Sequence, residues 1–77
     1  MQFNYSKLLG RFREYGFTQK DVAIRIGIRP TTLSLKLNNK FNFNSDEIDA
    51  ICKLLDIPGE EIGIYFFYRL SLEKPNK

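Results

Sequence analysis

Histidine is absent from the 77-residue sequence, and cysteine occurs once, at Cys52. The first absence removes the commonest general base and the commonest metal ligand together. The second leaves no partner for an intrachain disulfide and fits a reducing compartment. There is no Gly-rich phosphate loop and no convincing nucleophile–base pair, so no enzyme activity, metal centre or cofactor is expected. No apolar run approaches the roughly 20 residues that a membrane-spanning helix needs. The opening stretch, MQFNYSKLLG, lacks a charged region followed by a continuous apolar run, so no signal peptide is expected. A cytoplasmic protein follows, or one associated with the nucleoid. A chain this short buries only about 60% of the surface its unfolded form exposes. Its fold must therefore be locally well specified or helped by a partner chain.

The net charge is +3, but it is unevenly divided. Residues 1–40 hold eight basic groups against Glu14 and Asp21, whereas residues 41–77 hold four against seven acids. The first half suits a polyanion partner, although an ordinary solvated surface can also divide this way.

No repeat, low-complexity tract or interdomain linker is present, and periodicity with end signals places five helices in one domain, residues 1–72, followed by a tail, 73–77. In the first helix Leu8, Leu9, Phe12 and Tyr15 recur at helical spacing, and Gly16 supplies a left-handed stop. Lys7, Arg11 and Arg13 lie off that stripe, either as a solvated face or as phosphate contacts. The second helix has Thr18 as N-cap, Asp21 in its first turn and a Phe17–Val22 staple. Gly27 ends it, with Ile28 folding back on Ala23. The third begins at Pro30, whose missing amide costs nothing at a first helical position, and Arg29 before it is pushed toward extended geometry. So short a connection forces a sharp crossing, which small Ala23 permits. The result is a helix-turn-helix from Thr18 to Asn39. Val22, Ala23, Ile26, Ile28, Leu33 and Leu37 are expected in the core. After a loop, Asn38 to Phe43, the fourth helix has Asn44 as cap, Glu47 as capping-box partner, a Phe43–Ile48 staple, and a buried face of Ile48, Ile51, Cys52 and Leu55. Asp56-Ile57-Pro58 breaks the chain before a short fifth helix around Glu60 to Phe66. Phe66 to Leu72 alternates like a strand and stays open between a segment pairing with a second copy and the frayed end of the fifth helix.

The run from Thr18-Gln19 through Val22-Ala23 and Gly27 to Leu33-Ser34 resembles the Cro/cI (XRE) helix-turn-helix family. With its flanks, Asn4 to Leu8 and Glu60 to Phe67, it resembles small regulators of temperate phages of Gram-positive bacteria. The fold implied is an all-α, five-helix, lambda-repressor-like DNA-binding domain. At 100° per residue Leu33 and Leu37 point inward, so Thr31, Thr32, Leu35, Asn38 and Asn39 face outward, with Ser34 and Lys36 on the flanks. In the family this face enters the major groove. Threonine and serine meet base edges there, and Leu35 could touch a thymine methyl. Gln19 matches the family's phosphate-contacting glutamine. Lys36, Asn39 and Lys40 are candidates for backbone contacts, and Arg29 is the long side chain placed to reach guanine or phosphate. The chain departs from the family at Arg29 and Pro30, where polar capping and reading residues are usual, and at apolar Leu35.

The leading expectation is a phage or prophage transcriptional regulator of Cro or repressor type, binding double-stranded operator DNA as a homodimer. Recognition helices would then sit about 34 Å apart. The crowded aromatics Tyr65, Phe66, Phe67 and Tyr68, with Leu70, are the expected dimer surface. The alternative is an antirepressor or modulator of repression that binds a cI-type repressor protein, with Leu35 and the weak reading face as part of the contact. An antitoxin-like regulator would share the DNA-binding logic.

Overall fold

The computed structural model describes residues 2–69. Within them lie five helices: α1 (Ser6–Glu14), α2 (Gln19–Ile26), α3 (Pro30–Leu37), α4 (Ser45–Leu55) and α5 (Ile62–Phe66), the last entered through a 3₁₀ turn at Gly59–Glu61. The fold is all-α, as the periodicity predicts. Two helix starts carry reciprocal capping boxes. The Asp21 amide donates to Thr18 Oγ1 (3.1 Å) while the Thr18 amide donates to Asp21 Oδ2 (2.9 Å). That backbone bond, with the Thr18 hydroxyl beside it, holds the Asp21 carboxyl below its usual pKa. Asn44 and Glu47 repeat the exchange at α4, at 2.8 and 3.0 Å.

The ends of α1 to α4 share one device. Each is followed by a residue in the left-handed region: Gly16 and Gly27, then Asn39 (φ 63) and Asp56 (φ 54). The next amide returns to a carbonyl one turn back: Phe17 to Phe12 (2.9 Å), Ile28 to Ala23 (3.0 Å), Lys40 to Leu35 (2.8 Å) and Ile57 to Cys52 (2.9 Å). This is the Schellman closure, which normally places an apolar residue just beyond the reversal, where it can pack back on the helix. Phe17, Ile28 and Ile57 fit that rule; exposed Lys40 does not.

The core gathers Leu8 and Phe12 of α1, Val22 and Ala23 of α2, Leu33 of α3, Ile51, Cys52 and Leu55 of α4, and Phe66 of α5. Ile26, Ile28 and Leu37 pack against it, half-buried. Arg11, weighed above as a solvated or phosphate-binding side chain, is neither. Its Nε donates to the Leu55 carbonyl (3.0 Å) and its Nη2 to the Asp56 carbonyl (2.8 Å). The guanidinium thus closes the carboxyl end of α4, between the rings of Tyr15 and Tyr65 at 5.5 and 5.7 Å. Tyr15 adds a hydroxyl bond to Asp56 Oδ2 (2.9 Å), which raises the Tyr15 pKa.

The open segment after α5 takes a third course. Phe66 ends the helix, while Arg69 forms an antiparallel bridge with Phe3 of the same chain, and the Asn4 amide donates to the Tyr68 carbonyl (2.7 Å). This pairing is internal, not with a second copy. Leu70 to Leu72 and the tail 73–77 lie outside the described residues. The Asn39 side chain secures the same amino-terminal segment by accepting from the Phe3 amide (2.8 Å) and donating to the Phe3 carbonyl (3.0 Å).

These contacts set two expectations for urea unfolding. Asn39→Gly keeps the reversal and loses the clamp, whereas Asn39→Ala loses both, so alanine should cost about 1 kcal/mol more than glycine. Arg11→Met, which leaves the α4 carbonyls without their charged donor, should cost about 2 kcal/mol.

Candidate functional site

The connection between α2 and α3 is short because both sides of it are specified locally. Gly27 is left-handed at φ 85, and Arg29 is extended at φ −73 and ψ 143 ahead of Pro30. No side chain caps α3, so the amides of its first turn are left to solvent or to a ligand, with exposed Arg29 at their start. Thr31 is exposed beside them, and Thr32 and Ser34 are half-buried. Leu35, at 42% exposure, stands at the middle of the face. Gln19 is exposed at the first position of α2, and Lys40 is exposed beyond α3. Gln19, Arg29, Thr31, Leu35 and Lys40 therefore occupy accessible positions.

Two expected contact residues are committed elsewhere. Lys36 is 8% exposed. Its Nζ pairs with Glu47 Oε1 (2.9 Å) and donates to the Asn42 carbonyl (2.9 Å). The helical wheel placed it on a flank; α4 turns that flank inward. The Asn39 amide is spent on Phe3. Asn38 remains exposed, but its Nδ2 donates to the Ser34 carbonyl (2.8 Å), so it too is partly engaged. The face and its flanks keep three hydroxyls, a leucine and cations, and lose an ammonium and a carboxamide.

The expected dimer surface is also reduced. Phe66 is 1% exposed and belongs to the core. The amino-terminal segment and Phe43 give the crowded aromatics partners within the same chain. Phe67 meets Phe3 edge-on (5.6 Å), Tyr5 meets Phe43 (5.5 Å), and Phe43 meets Phe66 (5.4 Å). Tyr65 lies beside Arg11, and Tyr68 lies under the Lys7 ammonium at 5.3 Å. Phe67 stays 49% exposed, and Leu70 lies outside the described residues.

Around the helix-turn-helix two exposed apolar residues were not anticipated: Ile24 on α2 (63%) and Phe41 after α3 (58%). A signal for each was present. Ile24 is off the Val22–Ala23–Ile26 stripe, and Phe41 has no helix to join. Exposed Lys20, Arg25, Arg29 and Lys40 occur in the same part of the chain, with Arg25 over the Phe17 ring at 4.9 Å. Among the described residues no group of three or more Cys, Asp and Glu side chains could hold a metal, and no helix is long and apolar enough to cross a membrane.

The family described as "Protein of unknown function (DUF739)" matches residues 1–69. No curated protein matches the chain. Among solved structures, the chain is similar to the modulator of repression (MOR) of the temperate bacteriophage TP901-1 from Lactococcus lactis, determined in solution. The identity is 40% and the TM-score 0.75, over 87% of this chain and 90% of that one.

Lys36 gives the site a clear test. A phosphate contact would be removed without affecting the fold, whereas the observed pair makes Lys36→Ala a folding variant. It should lose about 2 kcal/mol, somewhat less than a fully buried pair, read from the urea midpoint.

Proposed function

The chain belongs to the family described as "Protein of unknown function (DUF739)", and from that premise we propose that it modulates repression in a temperate phage or prophage by binding a cI-type repressor protein. The observation that carries this proposal is the 40% identity, over most of both chains, with a protein titled a modulator of repression. The α3 face supports the same direction. A bidentate reader of a base edge is worth about 1–3 kcal/mol of discrimination. Arg29, Asn38 and Lys40 are the exposed side chains of this face and its border with that capacity, and Asn38 already bonds to Ser34. Leu35 at its centre gains more from an apolar protein pocket than from a single thymine methyl. We place the repressor contact on this face, with Leu35 as anchor and Thr31, Arg29 and Lys40 around it.

Operator binding through a Cro/cI-type helix-turn-helix is the second reading. It is favoured by the uncapped first turn of α3 beside Arg29 and by the basic first half of the sequence. The two readings separate in one paired experiment. The purified chain should co-purify with the repressor of its own phage and retard no fragment of its own regulatory region. Leu35→Glu should weaken repressor capture by at least about tenfold without moving the unfolding midpoint. Salt-sensitive retardation of regulatory DNA with no repressor capture would instead establish the second reading.

A further inference from the structure

A groove of about 690 Å³ that shares no residue with the α3 face runs between α4 and the chain that leads into α5. One wall is Ser45, Ile48, Asp49, Cys52, Lys53 and Asp56. These residues are three and four apart and make a continuous stripe along one face of α4. The other wall is Ile57, Pro58, Gly59 and Ile62. Ile48, Cys52, Ile57 and Ile62 give an apolar floor, and Asp49 and Asp56 stand on the rim.

Its charge and length select an occupant. Residues 45–62 contain six acids and one base, Lys53. Glu47 is committed to Lys36, and Lys53 reaches Asp49 at 3.1 Å in an exposed pair of little strength. Asp56 already accepts from Tyr15, yet a carboxylate has room for further donors. Arg11 lies on the backbone side of Asp56, bound to its carbonyl and 3.8 Å from Glu14. The rim therefore repels nucleic acid and acidic peptides and attracts cations. The eleven residues of α4 span roughly 16 Å, about three turns of a second helix lying beside it.

We propose that the α4–α5 groove is a docking site for a basic amphipathic helix of a protein partner. Its apolar side rests on Ile48, Cys52, Ile57 and Ile62, and its lysines or arginines meet Asp49 and Asp56, two helical turns apart. This is helix-in-groove recognition with a charged rim. The groove is separate from the α3 face, so this inference does not depend on the repressor contact placed there.

The test uses the whole chain and two synthetic peptides of about 14 residues. One carries leucine at three- and four-residue spacing with lysine elsewhere; the other has glutamate for every lysine. The lysine peptide should bind saturably, shift amide resonances confined to residues 45–62, and slow alkylation of the sole thiol, Cys52. The glutamate peptide should bind at least about tenfold more weakly. The double variant Asp49→Asn/Asp56→Asn should also lose roughly tenfold for the lysine peptide. Asparagine tolerates the left-handed position of Asp56 and can still accept from Tyr15, so the variant should fold, which its amide spectrum checks. The inference is overturned by lack of saturable binding, by shifts centred on α2 and α3, by equal affinity for the two peptides, or by undiminished affinity in the double variant. Self-association of the chain through the groove would overturn it as well.

Discussion

The structure depends on the left-handed residue that follows each of its first four helices. Helices of eight to eleven residues are marginal on their own in water and persist because their apolar faces pack together. In a chain this short, packing requires abrupt reversals. Gly16, Gly27, Asn39 and Asp56 supply them, and each reversal satisfies a carbonyl that the helix end would otherwise leave open. Three of the four then return an apolar side chain toward the core. At the fourth, Lys40 stays in solvent, and Asn39 itself provides the missing tertiary contact by clamping Phe3.

That exception shapes the candidate site. The end of α3 is held by the Asn39 clamp, and its flank is held by Lys36, whose ammonium reaches the same Glu47 oxygen that caps α4. One carboxylate oxygen thus joins the start of α4 to the side of α3. The cost is chemical: an ammonium and a carboxamide that could meet phosphates serve as internal ties. The outward face is left to Leu35, Thr31 and Arg29, with exposed Ile24 and Phe41 on neighbouring segments. A polar DNA-reading surface needs several directed donors and acceptors, whereas a protein contact needs one well-packed apolar anchor with a cationic border. The residues left outside fit the second description better.

Opposite charges accompany the two surfaces. Exposed Lys20, Arg25, Arg29 and Lys40 belong to α2, the α2–α3 connection and the end of α3, and most acids of the second half belong to α4 and its exit. Arg11 is the main crossing point. It comes from the basic half and ends on the carbonyls that terminate α4, so its charge is used against a helix end and not at the surface. Near the amino terminus the aromatic side chains are likewise shared between distant segments. Phe3, Tyr5 and Phe43 receive Phe66 and Phe67, which accommodates an aromatic density that otherwise suggests a second copy.

By itself the sequence determined the helices, both capping boxes, the glycine reversals and the tight entry into α3, because each rests on residues within one turn of one another. Thr18 with Asp21, Asn44 with Glu47, and Arg29 before Pro30 carry their geometry locally. The fate of long polar side chains is different. Lys36, Asn39 and Arg11 have partners as many as fifty-four residues away, and a helical wheel cannot say which neighbour will cover a flank. Nor does spacing mark Asn39 or Asp56 as left-handed, since either could have been an ordinary loop residue. Only the tertiary structure decided that Lys36 and Asn39 are withdrawn from the face of α3, that Phe66 is core, and that, among the described residues, an acid-rimmed groove runs along α4. Those outcomes follow from which surfaces pack together, which local rules leave open.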